Sequence, residues 1–164
     1  MSKKQVMNKN EIAIVGGAGF VGSRLTARFR KGNIFSNKYD IDLSNHLDKS
    51  IYLDVEDVDS LNQLAGVSTI MNLAAVHRDD VRPLSRYDDV NVQGAKNVCE
   101  AACKHGVHKI IFTSSVAIYG FAPADTDESG ESNYFNEYGR TKSLAEQVLK
   151  HGKRRIQEVE LWSL

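Results

Sequence analysis

Cysteine is scarce in this chain of 164 residues, which carries two, and neither sign of charge is in excess, since 21 basic side chains stand against 21 acidic ones. The two cysteines, Cys99 and Cys103, lie four apart in a helical pattern beside no cluster of ligand-type residues. That arrangement fits two small packed thiols better than a redox pair or a metal site, and no metal is expected. A neutral balance without a basic block gives no electrostatic reason to expect a nucleic-acid partner. No apolar run approaches the ~18 residues that a membrane helix needs, so no membrane partner is expected. The polar N-terminal extension, residues 1–10, has Lys3, Lys4 and Lys9 but no apolar stretch longer than Val6-Met7, which excludes a secretory signal and makes the cytoplasm the expected location. Repeats of fixed period and low-complexity tracts are also missing, so one domain is expected.

What is present is ordinary globular composition, with 41% hydrophobic and 26% charged residues. A domain of this size buries roughly 70% of the surface of its unfolded chain, enough for a core without staples. The order of elements is legible from periodicity. Glu11 to Val15 is a short β-branched run that stops at Gly16-Gly17, and from Phe20 the spacing turns helical through Val21, Leu25 and Phe29. Further strands are expected at Tyr39 to Leu43, Ser50 to Leu53, Thr69 to Ala75 and Lys109 to Thr113. Between and after them come a brief helix around Val58 to Ala65, a long one at Arg86 to His105 closed by Gly106, and a last one at Phe135 to His151 with Leu144, Val148 and Leu149 inward. Strands alternating with crossover helices imply a doubly wound, Rossmann-like α/β domain over residues 11–151, with about five parallel strands and helices on both faces.

Gly16, Gly19 and Gly22 follow the first strand and open the first helix. A tight turn demands a residue without Cβ, a pyrophosphate must approach the backbone closely, and a helix N-terminus offers unpaired N–H groups with a positive dipole end. A glycine-rich turn that binds nothing is the bland alternative. In such folds a carboxylate about 20 residues beyond the glycines, at the end of the second strand, receives the adenosine ribose hydroxyls. Asp40 and Asp42 are both in range; Asp42 is favoured because the strand is expected to end there. The stretch Leu43-Ser44-Asn45-His46 offers no arginine for a 2′-phosphate, so NAD is preferred to NADP.

Tyr138 and Lys142 stand four apart on the last helix and so share a face, a weak signal by itself. It gains weight from Thr113-Ser114-Ser115 at the carboxyl end of the fifth strand, where α/β sheets build their sites. A free tyrosine, with a pKa near 10, is a poor base at neutral pH. An ammonium one turn away and a positive nicotinamide ring are expected to draw that value down.

The ordered series GGAGFVG, Asp54-Val55, NLAA at 72–75, Asn91 in NVQGAKN, SSVAIYG and YGRTK, with Ser115 standing 23 positions before Tyr138, resembles the extended short-chain dehydrogenase/reductases, and within them the NAD-dependent epimerase/dehydratase family of the UDP-galactose 4-epimerase type. The likeness runs from Glu11 to about Leu149. It implies that Phe20 and Val21 meet the cofactor pyrophosphate, that Asp54 bonds the adenine amino group with Val55 donating its backbone N–H, and that Leu73, Ala74, Ala75 and Val76 line the ribose and nicotinamide side. Asn91 would brace the site, Ser115 hold the substrate hydroxyl, Tyr138 act as general base and Lys142 grip the nicotinamide ribose.

The activity so implied is NAD-dependent epimerisation of a nucleotide sugar, in the first place a UDP-sugar: hydride leaves for a tightly bound NAD, the ketone turns over, and hydride returns to the opposite face. Dehydratase relatives carry an Asp-Glu pair after the site serine or threonine; here Ser115-Val116 stand instead, which disfavours dehydration. Two alternatives stay open, an NAD-binding module with little or no turnover and a reductase of a non-nucleotide carbonyl compound. The cluster His77 to Asp80 is either a solvated loop or part of the substrate approach. Family members have about twice this length. The chain is therefore expected to be C-terminally truncated, to lack the substrate domain, and to end in an unrecognised tail, residues 152–164. The fifth strand would be an exposed edge unless that tail or another subunit, as in a homodimer, covers it.

Overall fold

The computed structural model describes residues 11–44, 49–152 and 156–163. The N-terminal extension, and Asn45 and His46 of the stretch weighed for cofactor choice, lie outside the described residues.

Six parallel strands form one sheet in the order β3-β2-β1-β4-β5-β6. They are β1 (Ile12–Val15), β2 (Ser36–Asp40), β3 (Ile51–Tyr52), β4 (Thr69–Asn72), β5 (Lys109–Ser114) and β6 (Glu158–Ser163). The helices are α1 (Phe20–Lys31), a single turn α2 (Ser85–Tyr87), α3 (Gly94–His105) and α4 (Glu137–Gly152). Strand β1 is central, with Ile12 to Val15 in register with Ser36 to Tyr39 on one side and Thr69 to Asn72 on the other. The chain moves outward one way from β1 to β2 and the other way from β4 to β5. With right-handed crossovers, α1 therefore covers one face and α3 and α4 the other. Consistent with this, α3 and α4 pack against each other. Every strand points its carboxyl end to the same edge, and the order reverses between β1 and β4. That is where an open α/β sheet has a crevice.

The core lies between the sheet and the α3–α4 layer: Ala13, Val15, Ile70, Ile110 and Phe112 from the strands meet Val98, Ala102, Ala145 and Leu149 from the helices. On α4, Leu149 is buried but Leu144 and Val148 are only half-buried. The inward stripe is instead Thr141, Lys142, Ala145 and Leu149. Helix α3 ends where expected, with Gly106 in the left-handed conformation at φ 67°. Cys99 is buried and Cys103 half-buried, and neither is in a disulfide. Among the described residues no helix is long and apolar enough to cross a membrane, and no group of His, Cys, Asp or Glu could hold a metal.

Several expected bounds move. Strand β2 begins at Ser36 and ends at Asp40, not at Leu43. Its first three residues are polar and owe their extended form to pairing with β1, while Tyr39 alone gives the apolar signal. The single helix expected at Arg86 to His105 contains a π-helical segment, Asp88–Gln93, between α2 and α3. Helix α4 starts at Glu137 rather than Phe135, with the Asn136 side chain accepting the Gly139 N–H at 2.8 Å. The residues expected to form an unrecognised tail instead supply a sixth strand. Glu158 to Ser163 pair with Lys109 to Ser114 and cover the β5 edge. Val159 and Leu161 pack on the core, and Lys109 bonds Glu160 and, at 3.3 Å, Glu158.

Ile110 is fully buried between the two layers. Ile110→Ala should lower the unfolding free energy by about 2–5 kcal/mol, read from urea midpoints at unchanged slope.

Candidate active site

The carboxyl ends of β1, β2, β4 and β5 border a cleft of about 610 Å³ that reaches from the glycine turn to α4. Three of the turn glycines are dictated by the protein's own packing, Gly17 among them because a Cβ there would lie 2.7 Å from the Ile14 oxygen. A Cβ on Gly16, at φ +79°, would lie 2.8 Å from the Ala74 nitrogen, and one on Gly22 would lie 2.6 Å from the Gly16 oxygen. Gly19 differs, since a Cβ there would meet nothing closer than the Gly16 oxygen at 3.3 Å. It lines the cleft as the N-cap of α1, with no side chain bonded to the cap and no acid in the first turn. The first N–H groups of α1 thus face the cleft with no side-chain cap, the nearest carboxylate, Asp40, being bonded to Ala18 ahead of the N-cap, and such groups suit a phosphate.

Asp40, not Asp42, ends β2. Its Oδ2 accepts the Ala18 N–H of the glycine turn at 2.8 Å and its Oδ1 the Asp42 N–H at 2.9 Å. Asp42 lies beyond the strand, exposed, and its own carboxylate is turned to Ser44, whose hydroxyl and then whose N–H, at 2.8 Å, hold it below the usual carboxylate range. Both aspartates border the cleft. The strand end that favoured Asp42 is therefore corrected to Asp40; the β2 sequence conceals this because Ile41 continues the apolar alternation past the last paired residue.

Of the other residues singled out from the sequence, Phe20, Val21, Asp54, Val55, Leu73, Ala74, Ala75, Val76, Tyr138 and Lys142 all border the cleft. Ser115 and Asn91 do not. Ser115 sits just behind: its hydroxyl caps a short turn by accepting the Ala117 N–H at 3.2 Å and hydrogen-bonds the Tyr138 phenol. Asn91, buried in the π-helical segment, accepts the Val76 N–H at 2.8 Å and donates to the Val76 carbonyl at 2.9 Å and the Thr141 hydroxyl at 3.0 Å. It ties the loop after β4 to α4. The charged cluster divides, because His77 borders the cleft while Arg78 and Asp80 form an exposed ion pair at 2.7 Å.

Sequence reasoning missed Glu56 and Arg86. They bridge 30 positions in a two-pronged ion pair at 2.6 and 2.7 Å beside Asp54 and Val55 on the cleft wall. Nothing in the local pattern of either residue announces the pairing.

The electrostatics depart from expectation. Burial pushes the Tyr138 phenol above its ordinary value, partly offset by the hydrogen bond from Ser115. Lys142 is itself pushed down to about 7 by burial, against an opposing pull from Glu146. Its Nζ lies 3.9 Å from the centre of the Phe112 ring, whose π face is favourable to a cation but does not replace water. Burial is the first cause of both shifts.

Fold and cleft together define a doubly wound α/β protein with a Tyr-Lys pair bordering the cleft at the carboxyl ends of its strands. Residues 12–157 match the NAD dependent epimerase/dehydratase family, and the chain belongs to that family. It is 45% identical over 151 residues to an Escherichia coli N-acetyl-α-D-glucosaminyl-diphospho-ditrans,octacis-undecaprenol 4-epimerase, covering 88% of this chain and 44% of the relative. It is 30% identical to UDP-glucose 4-epimerase of Rhizobium meliloti, covering 88% of this chain and 47% of that protein. Among solved structures, UDP-glucose 4-epimerase from Brucella ovis in complex with NAD superposes with a TM-score of 0.83 at 26% identity, over 94% of this chain and 51% of the other. The chain thus spans about half the length of the relatives it matches.

The folded Lys142 value near 7 lies below its ordinary 10.5. The folded state therefore disfavours the ammonium; the penalty is complete below about pH 7 and fades as pH rises toward the unfolded value, since there the unfolded chain binds the extra proton. Lys142→Met should accordingly stabilise the ligand-free chain most at about pH 6–7, with the gain shrinking toward about pH 10 in a series of urea titrations. A gain independent of pH would contradict the buried amine.

Proposed function

We propose that the cleft binds NAD and that this chain carries the cofactor half of a sugar epimerase, one that inverts a hydroxyl-bearing carbon of a sugar attached through diphosphate to its carrier. The observation that carries the reading is that Tyr138 and Lys142 border the same cleft as the glycine turn, with Ser115 bonded to the phenol. The residues suit the cofactor on three counts: a turn whose backbone is bare at Gly19, an α1 N-terminus without a side-chain cap, and a strand-end carboxylate at Asp40. We assign the adenosine ribose to Asp40, the adenine edge to Asp54 and Val55, and the nicotinamide side to Leu73, Ala74, Ala75 and Val76. When bound, NAD supplies the hydride acceptor and, in the second half of the cycle, the donor.

The protein's part is proton handling and placement. Ser115 holds the sugar hydroxyl at the phenol, and Tyr138 takes its proton as the C–H bond is broken, then returns one. A phenol whose pKa is raised by burial stays protonated at neutral pH and cannot accept a proton, so activation has to come with the ligand: a ribose hydroxyl and nearby phosphates give the Lys142 amine partners that favour its charged form, and the ammonium then lowers the phenol. Asn91 keeps the loop after β4 and the helix bearing both groups in fixed relation. No carboxylate follows Ser115, which argues against elimination of water. Two cysteines outside any disulfide fit work in a reducing cytoplasm.

For the carrier, a nucleoside diphosphate is the first reading, as in the UDP-glucose 4-epimerases. A polyprenyl diphosphate is the second, favoured by the undecaprenol-linked substrate named for the 45%-identical relative.

Titration with NAD should give saturable binding, weakened about tenfold or more by Asp40→Ala and little by Asp42→Ala, as expected for a carboxylate making charge-assisted bonds to a ribose. The reverse ranking would return the ribose to Asp42. In the complete protein, interconversion of C4 epimers of UDP-linked or polyprenyl-linked N-acetylglucosamine should be slowed about 10²–10⁴-fold by Tyr138→Phe. Equal rates would remove Tyr138 as the base. NAD binding without turnover on either carrier would favour the binding module.

A further inference from the structure

The ion pair of Glu56 and Arg86 joins the loop after β3 to the single turn α2, 30 positions further on. Nη1 donates to Oε1 at 2.6 Å and Nη2 to Oε2 at 2.7 Å, with both side chains half-buried on the cleft wall. Surface ion pairs contribute little stability as such, but a two-pronged one fixes both side chains in a single geometry.

What that geometry holds is Asp54. The Glu56 backbone N–H donates to Asp54 Oδ1 at 2.9 Å, closing a side-chain turn, so the placement of Glu56 sets the plane of that carboxylate. The main chain around it is gripped separately. The Ser60 hydroxyl donates to the Asp54 carbonyl at 2.8 Å, and the Asn97 amide donates to the Val55 carbonyl at 2.8 Å. Those bonds decide where Asp54 and Val55 lie, and the fork limits how far Glu56 can turn. Asp54, Glu56 and Arg86 border one cleft on the β3 side of the sheet, away from β5. One Asp54 oxygen is engaged within the loop, and the other can accept from an amino group in the cleft.

We propose that Glu56 and Arg86 are positioning residues for recognition of the purine base: as a pair they hold the Asp54 carboxylate toward the exocyclic amino group of adenine and so set the preference for adenine over a 6-oxopurine. The proposal rests on the NAD reading above and deepens it at the adenine end. A 6-oxopurine presents an acceptor where adenine presents a donor, and a carboxylate held in place rejects it; a carboxylate free to turn away does so less.

The test is calorimetric titration of the full chain with NAD and with nicotinamide hypoxanthine dinucleotide, which carries a 6-oxo group where adenine has its amino group. The parent should favour NAD by about tenfold or more. Glu56→Gln and Arg86→Met should each lower NAD affinity about threefold to tenfold and leave the hypoxanthine analogue within about twofold, which narrows the ratio. The double variant should lose no more than either single one, because the two side chains act as one device. Arg86→Lys, the mildest change, keeps the charge without the fork and should narrow the ratio as well. An unchanged ratio in the single variants, whether from unaltered affinities or from an equal loss for both dinucleotides, or additive losses in the double variant, would overturn the positioning role and leave the cofactor reading intact. A parent that binds both dinucleotides alike would remove Asp54 from the adenine edge, and the pair's role with it. A parent that binds neither would overturn the cofactor reading itself.

Discussion

The backbone of the first βα turn touches the backbone that leaves β4. Gly16 sits so near Leu73 and Ala74 that a Cβ would approach main-chain atoms within 2.8 to 2.9 Å, and Gly22 is pressed as closely onto the turn itself. The contact can exist only between parallel neighbours, and β1 and β4 are the two strands between which the sheet reverses its order. With that contact made, the start of α1, the end of β2 and the loop after β4 face one another across a gap, and α4 closes its far end. Binding surface and strand order are consequences of the same steric fit.

The site works against the fold's own stability. A lysine amine is held under α4 with an aromatic ring and a distant carboxylate for company, a phenol is raised by burial, and a hydroxyl beside them is unpaired. The amine and the hydroxyl are unfavourable in the ligand-free chain, whereas the phenol is neutral at neutral pH and carries no charge penalty there. An amine left in that state is predisposed to a polar ligand whose hydroxyls and phosphates give it partners, so affinity is drawn from strain that folding has already accepted.

Much of the fold was legible because its signals are short-range. The run Ile12 to Val15, the glycine spacing, Gly106 and the Tyr138–Lys142 interval are each readable within a few residues. Family membership followed from their order. What was missed depends on partners distant in sequence. The polar residues Ser36 to Lys38 are a strand only because β1 lies beside them, and the Glu56–Arg86 pair spans a loop and a crossover. Strand β6 is different in kind: Glu158-Val159-Glu160-Leu161 has the period of two that marks a half-covered strand, and it was legible but stood outside any recognised motif. The direction in which Tyr138 titrates lay beyond the sequence altogether, since spacing reports a neighbour but not how much water has been removed from both.

The π-helical segment Asp88–Gln93 inserts a wider turn between α2 and α3. Ahead of it, Arg86 reaches Glu56; within it, Asp88 meets Arg140 of α4 at 2.5 Å and Asn91 turns inward. A π turn takes up one residue more than an α turn, so regular α geometry at unchanged chain length would rotate everything before it by about 100°. Glu56 and Arg140 would then lose their partners in one step. The wider turn is thus what keeps both ion pairs in register.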